Sequence, residues 1–139
     1  MLGRRDYTIH ELRTKLLDRG YEPDAVTAVL VDLGDAGLID DRRVAAAHIR
    51  TGSQIKGRGR YRLVRELEAR GIDAELAAEL VADLTAEEET ATIERILARK
   101  HLPDRLVAAD HRRIFQQLLR RGFPTDAIAA ALKKRGLSR

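Results

Sequence analysis

Residues 16–21 read LLDRGY, and the pattern returns as LEARGI at residues 67–72 and as LLRRGF at residues 118–123. The glycines of the three copies lie 51 residues apart in both steps. Apolar residues recur in phase, eight and four positions before each glycine and one position after it. The positions concerned are Leu12, Leu63 and Ile114, then Leu16, Leu67 and Leu118, then Gly20, Gly71 and Gly122, then Tyr21, Ile72 and Phe123. Agreement in phase over three copies indicates an internal repeat.

Each copy predicts a helix, a glycine stop and a second helix. Apolar residues four apart share one helix face, and Leu16, Leu67 and Leu118 take the third-from-last helical position. Glycine has no Cβ, so it suits the left-handed residue just past a helix end, and an apolar residue after it is typical of a Schellman stop. An acid or a proline then opens the second helix, where acids in the first turn suit the helix dipole.

A third helix follows in the first two copies. In the first copy it begins behind Asp40 or Asp41, and in the second behind Thr85. The third copy contains two helices. We therefore predict an all-α protein of eight helices, an elongated and curved tandem array of three-helix repeats whose last repeat is incomplete. The predicted units are residues 1–53, 54–108 and 109–139, with linkers at 52–59 and at about 101–110.

The composition fits this class. Of 139 residues, 44% are hydrophobic and only 4% aromatic, and the net charge is +4. The chain has no cysteine, which excludes disulfides and thiolate metal sites. No apolar run has the length of a signal peptide or a membrane span. We expect a cytoplasmic monomer that does not contact a membrane.

The stretch KGRGRYRLVRELEARG, residues 56–71, concentrates basic residues ahead of a helix. One interpretation is a solvated helix face balanced by Glu66 and Glu68. The other is a surface that holds a polyanion, and it is favoured because the corresponding lead-ins of the other copies are also basic. We name these residues the basic strip: Lys56, Arg58, Arg60, Arg62, Arg65, Arg4, Arg5, Arg112 and Arg113. Tyr61 is its one aromatic candidate for base stacking, so nucleic-acid contact would be made through phosphates.

Other chemistry finds little support in the sequence. The stretch GSQIKGRG, residues 52–59, lacks the Lys-Ser/Thr of a phosphate-binding loop and no strand precedes it. The four histidines, His10, His48, His101 and His111, show no metal-ligand spacing. Asp40 and Asp41 suit helix capping better than acid–base catalysis. We expect no cofactor and no enzymatic activity.

Four blocks in this order resemble the RecX family of bacterial recombinase regulators. They run from Glu11 to Tyr21, from Gly37 to Arg42, from Lys56 to Ile72 and from Leu118 to Leu132. The resemblance covers nearly the whole chain. It implies a regulator that binds the RecA filament on single-stranded DNA, bridges its protomers and inhibits ATP hydrolysis, strand exchange and filament growth. It also implies weak, non-specific DNA binding.

Two alternatives remain open. Triple-helix units can present a recognition helix to duplex DNA, but the exposed positions of the second helices hold Thr27, Asp32, Glu79 and Asp83 and lack the side chains that read base edges. The chain could also be a helical scaffold that binds only protein. The sequence does not decide whether the arginines of the basic strip meet DNA phosphates or an acidic protein surface.

Overall fold

The computed structural model describes residues 6–103 and 105–135. Within them, all regular secondary structure is helical. The helices are α1 (Ile9–Asp18), α2 (Pro23–Asp35), α3 (Asp41–Gln54), α4 (Arg60–Ala69), α5 (Ala74–Val81), α6 (Ala86–Arg99), α7 (Ala108–Arg120) and α8 (Thr125–Lys134). The predicted all-α class and the eight helices are confirmed. The accessible surface of 8991 Å² is about a quarter larger than a compact protein of this length would expose, as an elongated array requires.

Each of the three repeated glycines ends a helix in the left-handed region. Their φ angles are 91° at Gly20, 86° at Gly71 and 97° at Gly122. At the first stop, the Tyr21 amide donates to the Leu16 carbonyl at 3.3 Å and the Gly20 amide donates to the Leu17 carbonyl at 3.0 Å. The same pair of bonds recurs at the other two stops. Together they make the Schellman motif, which satisfies carbonyls that a helix end would otherwise leave open.

The hydrophobic clusters are out of phase with the sequence repeat. One cluster joins α3 to α4 and α5 through Ala45, Ile49, Leu63, Leu67, Ile72, Ala77 and Val81. The other joins α6 to α7 and α8 through Ile93, Leu97, Ile114, Leu118, Phe123, Ala127, Ile128, Ala131 and Leu132. The third helix of each copy therefore covers the helix pair of the next copy. The boundaries 1–53, 54–108 and 109–139 follow the repeat, whereas the two clusters group α3 with α4 and α5, and α6 with α7 and α8.

Successive copies are joined at the glycine stops. The N-terminus of α1 lies on the end of α4, where Thr8 Oγ1 donates to the Arg70 carbonyl at 2.7 Å. The N-terminus of α4 lies on the end of α7 in the same way, and the Tyr61 amide donates to the Gly122 carbonyl at 3.0 Å. A Cβ on Gly122 would collide with the backbone of Arg62. The glycine is thus required for close approach as well as for its φ angle.

Acids from the third helices cap the first helices of the same copy. The Ile9 amide donates to Asp41 Oδ1 at 2.9 Å, while Asp40 caps α3 itself. In the second copy the Arg60 amide donates to Glu89 Oε2 at 3.0 Å. Glu89 is 2% exposed, and its other oxygen accepts from Arg60 Nε at 2.7 Å. These bonds hold α4 against α6.

The observed linkers do not begin and end at the residues that the sequence predicted. The first was expected at 52–59, but α3 continues to Gln54, and Gly52 is buried where a Cβ would collide with Leu63. That glycine serves close packing of α3 on α4, not a break. The second was expected at about 101–110, but α7 already begins at Ala108.

Candidate polyanion interface

The loop of residues 55–59 connects α3 to α4 and is fixed on the C-terminal end of α7. The Arg58 amide donates to the Gly52 carbonyl at 2.9 Å, and the Gly59 amide donates to the Arg121 carbonyl at 2.8 Å. Gly57 has a φ of 65°, and a Cβ there would come within 3.1 Å of Arg121 Nη1. This basic lead-in to α4 is therefore hydrogen-bonded into the array.

Three arginines of the basic strip form ion pairs within the chain. Arg58 Nη1 lies 2.8 Å from Glu66 Oε2, and Arg62 Nε lies 3.1 Å from the same oxygen. Arg60 belongs to the same strip in the sequence, but its Nε pairs with Glu89 Oε1 of α6 at 2.7 Å. The three guanidinium groups share two carboxylates, so each would have to give up an ion pair to meet an external polyanion.

The other members of the basic strip are dispersed. Lys56, Arg65 and Arg112 are exposed and form no ion pair within the described residues. Arg113 pairs with Asp110 at 2.9 Å. Arg4 and Arg5 lie outside the residues that the structure describes.

A second group of cations lies close together at the C-terminal ends of α6 and α7. Five of them line a pocket of about 250 Å³ beside the 55–59 loop, and an adjoining pocket shares two of these five and adds two more. We name this group the basic cleft: Lys56, Arg62, Arg95, Arg99, Lys100, Arg120 and Arg121. Among the described residues, no aspartate or glutamate lines either pocket.

The charges of the basic cleft are largely unbalanced. In the described part of the chain, only Arg62 among its members forms an ion pair. The hydrogen bonds of the others go to neutral acceptors: Arg95 to Thr92 Oγ1 at 3.0 Å and Lys100 to Gln117 Oε1 at 3.0 Å. Clustered cations without nearby carboxylates create a positive potential that attracts phosphates or carboxylates.

Helix ends explain part of this cluster. Arg99 and Lys100 end α6, and Arg120 and Arg121 end α7, where cations interact favourably with exposed carbonyls. Lys56 follows the C-terminal end of α3 in the same way, whereas Arg62 lies in the first turn of α4 and Arg95 lies one turn before the end of α6. Helix-end electrostatics gives no reason for those two positions, so the cleft is the better candidate for a polyanion site.

Five members of the basic cleft were not predicted from the sequence: Arg95, Arg99, Lys100, Arg120 and Arg121. A signal was present, because Arg95 and Arg99 are four apart on one helix face and a pair of arginines precedes Gly122. Neither of these two patterns indicates a binding site by itself. Only the packing of α6 beside α7 brings them together.

Glu66 organises the remaining charges of α4. His48 Nε2 lies 3.0 Å from Glu66 Oε1. Burial raises the pKa of Glu66, but His48, Arg58 and Arg62 together outweigh it and hold that pKa below its ordinary value. The cluster is thus a local stabilising network at the α3–α4 contact.

The lowered pKa of Glu66 predicts a pH-dependent loss of stability. A depressed pKa in the folded state contributes stability that is complete above the unfolded value of ~4.3 and disappears as the pH falls through the folded value. We expect Glu66→Gln to lower the free energy of unfolding at pH 7, by about 1 kcal/mol as for other ion pairs near the surface, and the difference from wild type to diminish at pH 3. Urea unfolding at both pH values measures it. Glu68→Gln is the matched control, and an equal deficit of Glu66→Gln at both pH values would contradict the assignment.

The outward faces of α2 and α5 do not suit base reading. Four side chains on these faces or just beyond them are exposed: Thr27, Asp32, Glu79 and Asp83. Glu79 forms an ion pair with Arg42, with 2.6 Å between Glu79 Oε2 and Arg42 Nη1. Acidic side chains on such a face repel DNA phosphates. No group of metal-ligating side chains occurs among the described residues, and no helix within them has the length and apolarity to cross a membrane.

Comparison with family models finds two matches. Residues 40–80 match the second three-helix domain of RecX and residues 1–33 match its first three-helix domain. The chain belongs to the RecX family. The first of these ranges contains α3, α4 and all but the last residue of α5, which is the grouping of the hydrophobic core and not of the sequence repeat.

Relatives within the RecX family match over most of the chain. The regulatory protein RecX of Halorhodospira halophila is 34% identical over 134 residues, which cover 94% of this chain and 81% of that protein. The regulatory protein RecX of Geobacillus kaustophilus is 31% identical over 137 residues, covering 97% of this chain but only 51% of its own length. The chain thus spans about half of the longer relative.

Solved structures show the same RecX fold. The crystal structure of RecX from Lactobacillus salivarius has a TM-score of 0.85 at 22% identity and covers 96% of this chain and 88% of that one. A crystal structure of regulatory protein RecX has a TM-score of 0.80 at 19% identity and covers 95% of this chain and 66% of that one. At these identities the likeness supports the fold alone.

Proposed function

We propose that this chain binds the RecA filament on single-stranded DNA and inhibits its ATP hydrolysis, strand exchange and extension. The observation that carries the proposal is the match along nearly the whole chain to proteins named regulatory protein RecX. An elongated array of helices suits a filament, because each unit can follow a repeating partner surface.

The basic cleft is the surface that we assign to the filament. Lys56, Arg95 and Arg99 are exposed and carry charges that no described carboxylate neutralises. A filament on DNA offers phosphates and acidic protein side chains, and both are met by charge-assisted hydrogen bonds from such cations. The paired arginines Arg58 and Arg60 would first have to leave Glu66 and Glu89. The cleft therefore replaces the basic strip as the proposed contact.

The direct test is a titration of the chain into RecA bound to single-stranded DNA. We expect ATP hydrolysis to fall in a saturable manner and filaments imaged by electron microscopy to shorten. Unchanged hydrolysis with the chain present at one copy per RecA protomer would overturn the proposal. A strong preference for one duplex sequence at physiological salt would identify a DNA-binding regulator instead. No salt-dependent DNA affinity and no effect on RecA would identify a protein-only scaffold.

A further inference from the structure

Arg62 belongs to both groups of cations. It is a member of the basic strip by its place in α4, and it also lines the second pocket of the basic cleft beside Lys100, Arg120 and Arg121. Its side chain is 38% exposed, and its Nε lies 3.1 Å from Glu66 Oε2. Arg62 therefore stands where the ion pairs of α4 meet the unpaired cations of the cleft.

Glu66 has more partners than its two oxygens require. Arg58 Nη1 lies 2.8 Å from Oε2, the oxygen that Arg62 also contacts, and His48 Nε2 lies 3.0 Å from Oε1. If Arg62 leaves, both carboxylate oxygens therefore keep a partner. A half-buried carboxylate that stays paired avoids the large cost of stranding a charge. Release of Arg62 costs only one i,i+4 pair on the helix surface, which is a weak interaction.

Arg60 shows the opposite case. Its Nε pairs with Glu89 Oε1 at 2.7 Å, and Glu89 is 2% exposed. No other cation in the described part of the chain pairs with Glu89. Withdrawal of Arg60 would leave a buried carboxylate without its counter-charge, which is strongly destabilising. Of these two arginines at the start of α4, only Arg62 can exchange its partner at low cost.

We propose that Arg62 exchanges its ion pair with Glu66 for a DNA phosphate when a single strand enters the basic cleft. The unpaired cations around the pocket attract the strand, and the Arg62 guanidinium then turns from Glu66 Oε2 to a phosphate oxygen. Glu66 is a positioning residue that holds Arg62 before binding and competes with the strand for it. The inference rests on the proposed function, because it concerns the surface assigned there to the filament.

The exchange favours nucleic acid over an acidic protein surface. Replacing the carboxylate of Glu66 by a carboxylate of another protein substitutes one ion pair for another of the same kind. A phosphate of single-stranded DNA differs, because a cation that neutralises it releases a counterion condensed along the strand. That release gives the exchange a driving force that an isolated protein carboxylate lacks.

Binding of a fluorescently labelled oligothymidylate to the full chain, measured by anisotropy, tests the exchange. We expect Arg62→Gln to weaken binding about two- to fivefold and to reduce the salt slope by about 0.7, the value of one phosphate contact. Glu66→Gln should bind about two- to fivefold more tightly than wild type, although it is less stable. Removing a residue that only supports the fold would not tighten binding.

Arg65→Gln and Glu68→Gln are the matched controls. Both residues are exposed on α4, line neither pocket of the cleft and form no ion pair with the described residues. They should bind nearly as wild type does. Equal gains from Glu66→Gln and Glu68→Gln would overturn the proposal, because net charge alone would then explain them.

The double variant Arg62→Gln, Glu66→Gln isolates the pair. It should bind no more tightly than Arg62→Gln alone, because the gain from removing Glu66 acts through Arg62. A gain that persists without Arg62 would overturn the exchange.

Failure of the exchange is distinguishable from failure of the cleft and of the proposed function. If reversing the charges of Arg99 and Lys100 weakens binding while Arg62→Gln and Glu66→Gln bind as wild type does, the cleft binds DNA and the exchange is wrong. If reversing them changes nothing, the cleft does not bind DNA, and the exchange is wrong with it. The titration into RecA tests the proposed function separately, because it measures ATP hydrolysis with the wild-type chain.

Discussion

Gly122→Ala should lower the free energy of unfolding by ~3 kcal/mol or more. Gly122 has a φ of 97°, where a Cβ costs about 1 to 2 kcal/mol by itself. The added methyl group would also collide with the backbone at Arg62, so α4 must move away from α7. That movement breaks the bonds from the Gly59 and Tyr61 amides to the end of α7, each contributing about 1 kcal/mol. Urea unfolding followed by far-UV circular dichroism measures the change.

Gly20→Ala separates backbone strain from steric collision as causes of the lost stability. Gly20 has a φ of 91°, but a Cβ there would meet nothing within 4 Å. We expect a loss of only about 1 to 2 kcal/mol from backbone strain. Gly71→Ala should resemble Gly122→Ala, since its Cβ would collide with His10. Three equal losses would show that the glycines serve the helix stop alone and that the junctions tolerate a methyl group.

The repeat made the helices predictable from the sequence but not their partners. Apolar spacing and glycine stops are local signals, and they predicted the eight helices because helix ends depend on neighbouring residues. Periodicity shows which face of α3 is apolar, but the same face could cover α1 and α2 or α4 and α5. Gly52 shows the difficulty: the residue looks like a helix breaker, yet it is a helical residue that lets α3 approach Leu63.

The sequence shows where the charged residues lie along the chain but not which partners they contact. Arg58 and Arg62 share the single carboxylate of Glu66, and the partner of Arg60 is 29 residues away in the sequence. The basic cleft combines residues near 56, 95–100 and 120–121. Only tertiary packing brings these three segments together, so no local pattern could indicate their shared surface.

The double variant Arg99→Glu, Lys100→Glu should bind single-stranded DNA roughly 10- to 100-fold more weakly at fixed salt. Both side chains are exposed and neither forms an ion pair with the described residues, so their reversal should not unfold the protein. Losing two phosphate contacts should also reduce the salt slope of binding by roughly 1.4. Fluorescence anisotropy with a labelled oligonucleotide over a range of salt concentrations measures both quantities. If the cleft contacts the filament, inhibition of RecA should weaken in parallel.

Arg112→Glu, Arg113→Glu is the matched control, because it changes the net charge equally on the same array. Arg113 is already paired with Asp110, and both residues lie on the first half of α7, away from its C-terminal end. Non-specific attraction by net charge would weaken both double variants alike, whereas a local site weakens only the first. A larger loss of DNA binding in the control variant would indicate that the contact lies in the basic strip instead. Intact DNA binding with lost RecA inhibition in the cleft variant would mean that these cations meet acidic protein surface in the filament, since phosphate contacts would then be unaffected.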